Sequence, residues 1–170
     1  MADGREIYRG RIITLRLEEA RLPTGDRVML EIVHHPGAAA IVAVDGDDQV
    51  ALLRQYRHAA GGYIWEVPAG TLAPGEAPDV CARRELREET GLTATQWTGL
   101  GSVLTTPGFC DERIHLFLAR GLSQSVQQLD ADEVLTVSRV RFARALEMVA
   151  SGEIDDAKSI AALHRATARR

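Results

Sequence analysis

Residues 70–92 read GTLAPGEAPDVCARRELREETGL, and this segment decides the fold. It begins with a loop rich in glycine and proline. Pro78 and Asp79 then suit the first turn of a helix, where a proline loses no hydrogen bond and an acidic side chain opposes the positive end of the helix dipole. Gly91 suits the left-handed conformation that ends many helices. The segment therefore predicts a loop followed by one helix that ends at Gly91.

Three carboxylates share one face of this predicted helix. Glu85, Glu88 and Glu89 have the i, i+3, i+4 spacing of neighbours on a helix surface. One interpretation is a solvated face, because three arginines alternate with these acids: Arg83, Arg84 and Arg87. The other is a metal site, because Glu76 lies at the start of the helix and the preceding loop offers free carbonyls. Clustered carboxylate and carbonyl oxygens suit a hard divalent cation, Mg²⁺ or Mn²⁺.

Apolar segments on either side of the helix predict the rest of the fold. Turn residues separate six predicted strands, at residues 38–44, 49–55, 63–67, 96–105, 113–119 and 134–140. The first two are almost continuously apolar, which indicates burial on both faces, and residues 45–48 between them suit a tight hairpin. Residues 68–70 are predicted to end the third strand. Two apolar helical faces follow residue 141, so we expect an α/β fold with a mixed sheet between helices.

Residues 1–36 are predicted to form an N-terminal β extension to a main domain of residues 37–170. Short apolar stretches alternate with charges on both sides of the turn PTGD, residues 23–26, which predicts an antiparallel hairpin. A hairpin alone holds no core, so it is more stable when it packs against a second copy of the chain. We therefore expect a homodimer.

Composition argues against several classes of protein. A net charge of −4 over 170 residues argues against a broad basic surface for nucleic acid. No apolar run is long enough for a membrane span, and the N-terminal residues lack the apolar stretch of a signal peptide. The two cysteines, Cys81 and Cys110, lack the spacing of a zinc site or a disulfide framework. We expect a cytoplasmic protein without nucleic-acid or membrane partners.

The segment of residues 70–92 also matches a known pattern, Gx5Ex7REUxEExGU, in which U is aliphatic. The matching residues are Gly70, Glu76, Arg84, Glu85, Leu86, Glu88, Glu89, Gly91 and Leu92. The pattern resembles the Nudix box, so the resemblance implies a Nudix hydrolase with an α/β/α sandwich. Such enzymes cleave a diphosphate that links a nucleoside to another group.

The flanking residues resemble one branch of this family, the ADP-ribose pyrophosphatases. The similar segments are LRQYR at residues 53–57, WEVPAG at 65–70, TPGFCDE at 106–112 and GEIDDAKS at 152–159. Pro107 lies 15 residues beyond Leu92, an offset that marks ADP-ribose specificity in the family. The resemblance implies hydrolysis of ADP-ribose, a small nucleoside diphosphate, to AMP and ribose 5-phosphate. Two alternatives stay open: another nucleotide sugar such as GDP-mannose, and a non-catalytic domain that senses a nucleotide.

The resemblance also implies roles in catalysis. The metal ligands would be the carbonyl of Ala69 and the carboxylates of Glu85, Glu88 and Glu89, with two or more ions bound. Arg84 would pair with Glu88 across one helical turn. Glu133 would lie in a loop that closes over the site, as a metal ligand or general base. Two alternatives to this assignment stay open: Glu133 is an ordinary polar residue of the loop, or Asp132 has the role instead.

Substrate contacts follow from the same resemblance. The implied residues are Arg54, Arg57, Glu66, Thr106, Gly108 and Glu112. Arg57 ends a buried strand, and its guanidinium suits bidentate contact with phosphate, although a surface position is the simpler alternative. Glu66 is either a polar contact or the partner of a neighbouring arginine. Tyr8 is the only aromatic residue before residue 56, so three other planar side chains are candidates to hold the base: Arg27, Tyr63 and Trp65.

Overall fold

The computed structural model describes residues 4–169, which form ten strands and three α-helices. The strands are β1 (Gly4–Arg9), β2 (Thr14–Arg21), β3 (Arg27–His34), β4 (Ala38–Ala43), β5 (Gln49–Arg57), β6 (Gly62–Glu66), β7 (Ala69–Thr71), β8 (Leu92–Leu104), β9 (Arg113–Gln124) and β10 (Leu135–Arg141). The helices are α1 (Pro78–Thr90), α2 (Phe142–Ser151) and α3 (Ala157–Thr167). None of these helices is long and apolar enough to cross a membrane.

The core is built around β4, which is buried along its whole length. β4 lies between β7 and β9 in a four-stranded sheet of order β7-β4-β9-β8, and its pairing with β9 is parallel while the other pairings are antiparallel. Alternate residues of β4 enter two clusters. Ile41 packs with Leu86 of α1 on one face, and Val42 packs with Leu163 of α3 on the other. This confirms the predicted α/β sandwich with a mixed sheet between helices.

The predicted hairpin of the strands at residues 38–44 and 49–55 forms only at its turn, where the N–H of Asp45 donates to the carbonyl of Gln49 at 2.9 Å, and the two strands do not pair along their length. β5 lies in a second sheet, of order β10-β5-β6, and one isolated bridge joins Val44 to Val50. The reason is that both edges of β4 are already paired with β7 and β9, and both edges of β5 with β10 and β6. Residues 45–48 form a corner, in which the Asp45 carboxylate accepts hydrogen bonds from the N–H groups of Asp47 and Gln49.

Residues 68–70 were predicted only to end a strand. In the structure, residue 68 precedes a separate short strand, β7, to which Ala69 and Gly70 belong. β7 begins at Ala69 and pairs with β4, because the fully buried edge of β4 needs partners for its N–H and C=O groups. This short strand determines where the site forms, since it places the backbone beside α1.

The N-terminal extension contains three strands rather than the predicted single hairpin. The turn at residues 23–26 does join β2 to β3, and β1 adds to the free edge of β2 in an antiparallel sheet. This sheet meets the main body where Val33 exchanges backbone hydrogen bonds with Phe109 and Asp111. Residues 1–3 of the predicted extension and residue 170 of the predicted main domain lie outside the described residues, and the boundary between residues 36 and 37 stays a prediction.

Helix α1 has the predicted limits. It begins at Pro78, and Gly91 follows its last residue with a φ of 66° in the left-handed region. The N–H of Gly91 donates to the carbonyl of Arg87 at 2.8 Å. The local signals for the start and the end of this helix therefore agree with its packing against β4 and β7.

Candidate active site

A cavity of about 710 Å³ opens between α1, β7, the end of β5 and the loops that precede β9 and β10. It brings most of the predicted site residues together. The predicted residues that line it are Arg57, Ala69, Glu85, Glu88, Glu89, Thr106, Glu112 and Glu133. Glu66 and Gly108 do not line it. Arg54 does not line it either, and its guanidinium carbon lies 5.5 Å from the centre of the Trp65 ring.

Strand β7 passes so close to α1 that the residue facing Glu85 must be glycine. A Cβ atom built on Gly70 would lie 1.9 Å from Glu85 Oε1 and 2.0 Å from the carboxyl carbon. No side chain fits there unless the carboxylate moves. Glu85 is therefore held between its helix and the backbone of β7, and it is 7% exposed. This contact explains the glycine that opens the sequence pattern.

Glu89 is the most deeply buried of the three helix carboxylates, at 1% exposed. Its Oε2 accepts a hydrogen bond from the N–H of Ala69 at 2.8 Å. No arginine or lysine among residues 4–169 forms an ion pair with it. Burial, together with the charges of Glu85 and Glu133, raises its pKa well above 4.5, and burial also raises the pKa of Glu85. Glu89 is thus a buried acid whose charged form has no arginine or lysine partner among the described residues.

Arg84 joins the carboxylates of the loop and of the helix. Its guanidinium donates to both oxygens of Glu76 at 2.9 Å, to Glu85 at 2.6 Å and to Glu88 at 3.1 Å. The predicted pairing of Arg84 with Glu88 is confirmed. Glu76 does not line the cavity. Hydrogen bonds from Arg84 lower its pKa to about 2, so Glu76 is an anion that fixes the position of Arg84.

The chemistry of these side chains fits a hard divalent cation. Glu85 and Glu89 are buried beside the backbone of β7, and Arg84 is the one cation that contacts Glu85 among the described residues. Their oxygens are the donors that Mg²⁺ and Mn²⁺ prefer. No three His, Cys, Asp or Glu side chains within residues 4–169 form a ready metal cluster, and Arg84 contacts both Glu85 and Glu88. The ligand roles of the predicted set therefore stay predictions.

Glu133 reaches the cavity from the loop before β10. This loop is fixed to the end of α1, because the Gln127 side chain donates to the carbonyl of Glu89 and the N–H of Gln128 to the carbonyl of Glu88. The N–H of Asp130 donates to the Glu133 carboxylate at 2.9 Å. Its charge contributes to the raised pKa of both Glu85 and Glu89.

Asp132, the alternative to Glu133, also lines the cavity. Its carboxylate accepts a hydrogen bond from Arg11 at 3.2 Å, and both side chains are exposed. Arg11 belongs to the turn between β1 and β2, so the N-terminal sheet borders the cavity. The two acids differ, since Asp132 has a cationic partner that Glu133 lacks among residues 4–169.

Two further cations, Arg57 and Lys158, line the cavity. Arg57 donates through Nε and Nη2 to the two oxygens of Glu66 at 2.8 and 2.9 Å, which is the arginine pairing considered for Glu66. Lys158 lines the cavity beside Arg57 and was not among the predicted site residues. It is the only lysine in the chain, and it lies in the family-like segment of residues 152–159; these two signals in the sequence could have singled it out.

Other lining residues were not predicted from the sequence. They include Arg11, Gln55, Tyr56, Thr105 and Gln128. Of the side chains considered for holding the base, none lines the cavity. Tyr56 is the one aromatic residue that does so within the described part of the chain, and it packs edge to face with Tyr63 at a ring distance of 5.5 Å.

The family model of the NUDIX domain matches residues 33–163. The chain belongs to the NUDIX family. Three relatives of known name are similar over most of their length. ADP-ribose pyrophosphatase of Bacillus subtilis (strain 168) is 42% identical, over 93% of this chain and 86% of that protein. Methanol dehydrogenase activator of Bacillus methanolicus is 39% identical, over 93% of this chain and 86% of that protein. ADP-ribose pyrophosphatase of Mycobacterium tuberculosis (strain ATCC 25618 / H37Rv) is 40% identical, over 95% of this chain and 81% of that protein.

A solved NUDIX-like structure agrees with the fold. The crystal structure of an ADP compounds hydrolase superimposes with a TM-score of 0.84 over 98% of this chain and 91% of that chain, at 23% identity. At this level of identity the similarity establishes the fold alone. It includes the N-terminal part of the chain, since nearly all of it is covered.

The buried carboxylates of this NUDIX site predict a stability that falls as the pH rises. Folded Glu85 and Glu89 hold protons more tightly than their unfolded forms, so the stability that protonation provides is complete below pH 4.5 and is lost as the pH rises through the raised pKa values. Glu89→Gln removes one of the two charges. It is expected to raise the free energy of unfolding of the metal-free protein at about pH 8 by about 1–2 kcal/mol, and by less at about pH 5.

Urea unfolding in EDTA at the two pH values measures this difference. Because each variant is compared with the wild type, the contributions of the other titrating groups to the free energy of unfolding cancel. Glu147→Gln, an exposed acid on α2, is the matched control and is expected to leave the pH dependence unchanged. A Glu89→Gln protein that is less stable than the wild type at the higher pH would contradict the assignment of uncompensated charge.

Proposed function

We propose that this NUDIX protein hydrolyses ADP-ribose to AMP and ribose 5-phosphate with Mg²⁺ or Mn²⁺ as cofactor. The observation that carries the proposal is the cavity itself, whose lining combines buried carboxylates of α1 with the cations Arg57 and Lys158. A diphosphate needs both kinds of group: the carboxylates of Glu85, Glu88 and Glu89 would hold cations that neutralise its charge, and the basic side chains would bind its phosphates directly. The two relatives that carry the name ADP-ribose pyrophosphatase support this choice of substrate.

The ions would be held by the carbonyl of Ala69 and the carboxylates of Glu85, Glu88 and Glu89, with two or more ions in the active enzyme. When bound, they supply neutralisation of the diphosphate charge and a lower pKa for water. The protein fixes the donors in advance. Gly70 leaves room for Glu85, and the N–H of Ala69 orients Glu89.

The basic side of the cavity would bind the diphosphate. Two nitrogens of Arg57 are held by Glu66, and the third, Nη1, has no protein partner among residues 4–169 and can donate to a phosphate oxygen. Thr106 and Glu112 line the part of the cavity where we place the terminal ribose. Gly108 and Arg54 lie outside the cavity, and any contact they make with substrate would depend on a movement of their segments.

Glu133 would act as the general base. Its carboxylate lines the cavity and has no cation partner within the described residues, so it is able to accept a proton from the attacking water. The turn in which it lies is held at α1 by Gln127 and Gln128. This anchoring keeps the carboxylate near Glu85 and Glu89 while leaving the tip of the loop exposed.

A homodimer and a cytoplasmic location are part of the proposal. The N-terminal sheet exposes large apolar side chains to solvent, notably Ile7 (46%), Tyr8 (57%), Met29 (59%) and Leu30 (39%). Burial of such side chains against a second copy would be favourable. We expect no nucleic-acid or membrane partner, in line with the net charge of −4.

A substrate panel with purified protein tests the proposal. We expect ADP-ribose to be hydrolysed in Mg²⁺, with AMP and ribose 5-phosphate as products, and turnover to stop in EDTA. Glu85→Gln is expected to abolish turnover, which separates an enzyme from a non-catalytic nucleotide sensor. Chromatographic identification of both products measures the outcome. If GDP-mannose or another nucleotide sugar has a kcat/KM about tenfold above that of ADP-ribose, the proposed substrate is wrong.

The role of Glu133 predicts a loss in kcat rather than in KM. Glu133→Gln keeps the shape of the side chain but cannot accept the proton, so kcat is expected to fall by a factor of about 10²–10⁴ with a much smaller change in KM. Asp132→Asn is the matched comparison, because Asp132 lines the same cavity but is paired with Arg11. A larger loss of kcat in Asp132→Asn than in Glu133→Gln would move the role to Asp132.

A further inference from the structure

Glu66, the last residue of β6, binds two cations from behind the cavity. Its carboxylate is 1% exposed and does not line the cavity. One oxygen accepts from Arg57 Nε at 2.8 Å. The other accepts from Arg57 Nη2 at 2.9 Å and from Lys158 Nζ at 2.6 Å. A single buried anion thus joins a residue at the end of β5 to a residue in the first turn of α3.

Both cations, unlike their anion, reach the cavity. Arg57 and Lys158 line its wall, and the Arg57 side chain is 41% exposed. Lys158 has a second partner, the Asp156 carboxylate at 3.0 Å. Asp156 also caps α3 by accepting from the N–H of Ser159, whose hydroxyl accepts in turn from the N–H of Val67 at 2.8 Å. The start of α3 is therefore fixed to the chain segment that follows Glu66.

Stability alone does not account for this arrangement. A buried carboxylate is costly to desolvate, and apolar side chains of similar volume are often at least as stabilising as a buried ion pair. What the arrangement does provide is fixed geometry. Arginine and lysine side chains lose much conformational freedom when they are ordered, and an anion that orders them before the ligand arrives removes that loss from the binding step.

We propose that Glu66 is a positioning residue: it holds Arg57 and Lys158 side by side at the cavity wall so that both cations bind the diphosphate of the substrate. The inference rests on the proposed function for the identity of that substrate. Glu66 itself does not touch the substrate and acts only through the two cations. Its effect should therefore appear in binding and should vanish when both cations are absent.

Glu66→Gln tests this role. The amide keeps one acceptor oxygen for Arg57 but replaces the charged acceptor of Lys158 with a donor, so the two cations are no longer held together. The KM for ADP-ribose is expected to rise about tenfold while kcat changes by less than about threefold. Glu153→Gln is the matched control, because Glu153 pairs with Arg144 at a half-exposed surface position and does not line the cavity. Its KM is expected to equal that of the wild type.

A double-mutant cycle separates positioning from a general structural role. In the Arg57→Ala/Lys158→Met background, addition of Glu66→Gln is expected to change KM by less than about twofold. A tenfold rise in that background, or an unchanged KM in the folded single variant, would overturn the proposal. If Glu66→Gln does not fold, Lys158→Met alone carries the test, and an unchanged KM in that variant would overturn it.

Binding of ADP distinguishes failure of this inference from failure of the proposed function. Calorimetry with ADP requires no turnover, and Glu66→Gln is expected to weaken ADP binding about tenfold relative to the wild type. A wild-type protein that binds ADP but does not hydrolyse ADP-ribose would contradict the proposed function, and the weaker ADP binding of the variant would still support the role of Glu66. Equal ADP affinity in the two proteins would overturn that role even if ADP-ribose is the substrate.

Discussion

The contact between the carboxylates of α1 and the backbone of β7 is the constraint on which the site depends. Glu85 lies against Gly70, and Glu89 accepts its one backbone hydrogen bond from Ala69. Burial of two acids so close together is unfavourable unless positive charge neutralises them, and Arg84 reaches only the first. The fold supplies the packing that forces the two acids together, and a divalent cation would supply the missing charge.

The rest of the cavity is organised by pairs of buried and accessible charges. On the acidic side, Glu76 lies outside the cavity and fixes Arg84, which in turn contacts Glu85 and Glu88. On the basic side, Glu66 lies behind the wall and fixes the cations that reach the cavity. In both cases a glutamate that has a lowered pKa and does not line the cavity holds a cation that does line it. An acidic protein can in this way bind an anionic substrate.

The sequence predicted those features of the fold and site that depend on residues close together in the chain. It did not predict the features that depend on contacts between distant residues. Helix α1 and its end at Gly91 follow from the chain's own turn and helix preferences, and the spacing of Glu85, Glu88 and Glu89 follows from the helix. The placement of β4 and β5 in different sheets does not follow from local preferences, because it depends on which strands pair with their edges. Lys158 was missed for the same reason: its place in the site depends on Glu66, a contact between two distant parts of the chain.

Proton release on metal binding tests the central claim most directly. Folded Glu85 and Glu89 have raised pKa values, so a bound cation should displace protons from them. Mn²⁺ is titrated calorimetrically into the substrate-free protein at mildly acidic pH, in two buffers of different ionisation enthalpy. We predict binding with net proton release in the wild type, and weaker binding with less release in Glu89→Gln. Mn²⁺ affinity and proton release that are the same in both proteins would contradict the claim that these buried carboxylates form the cation site.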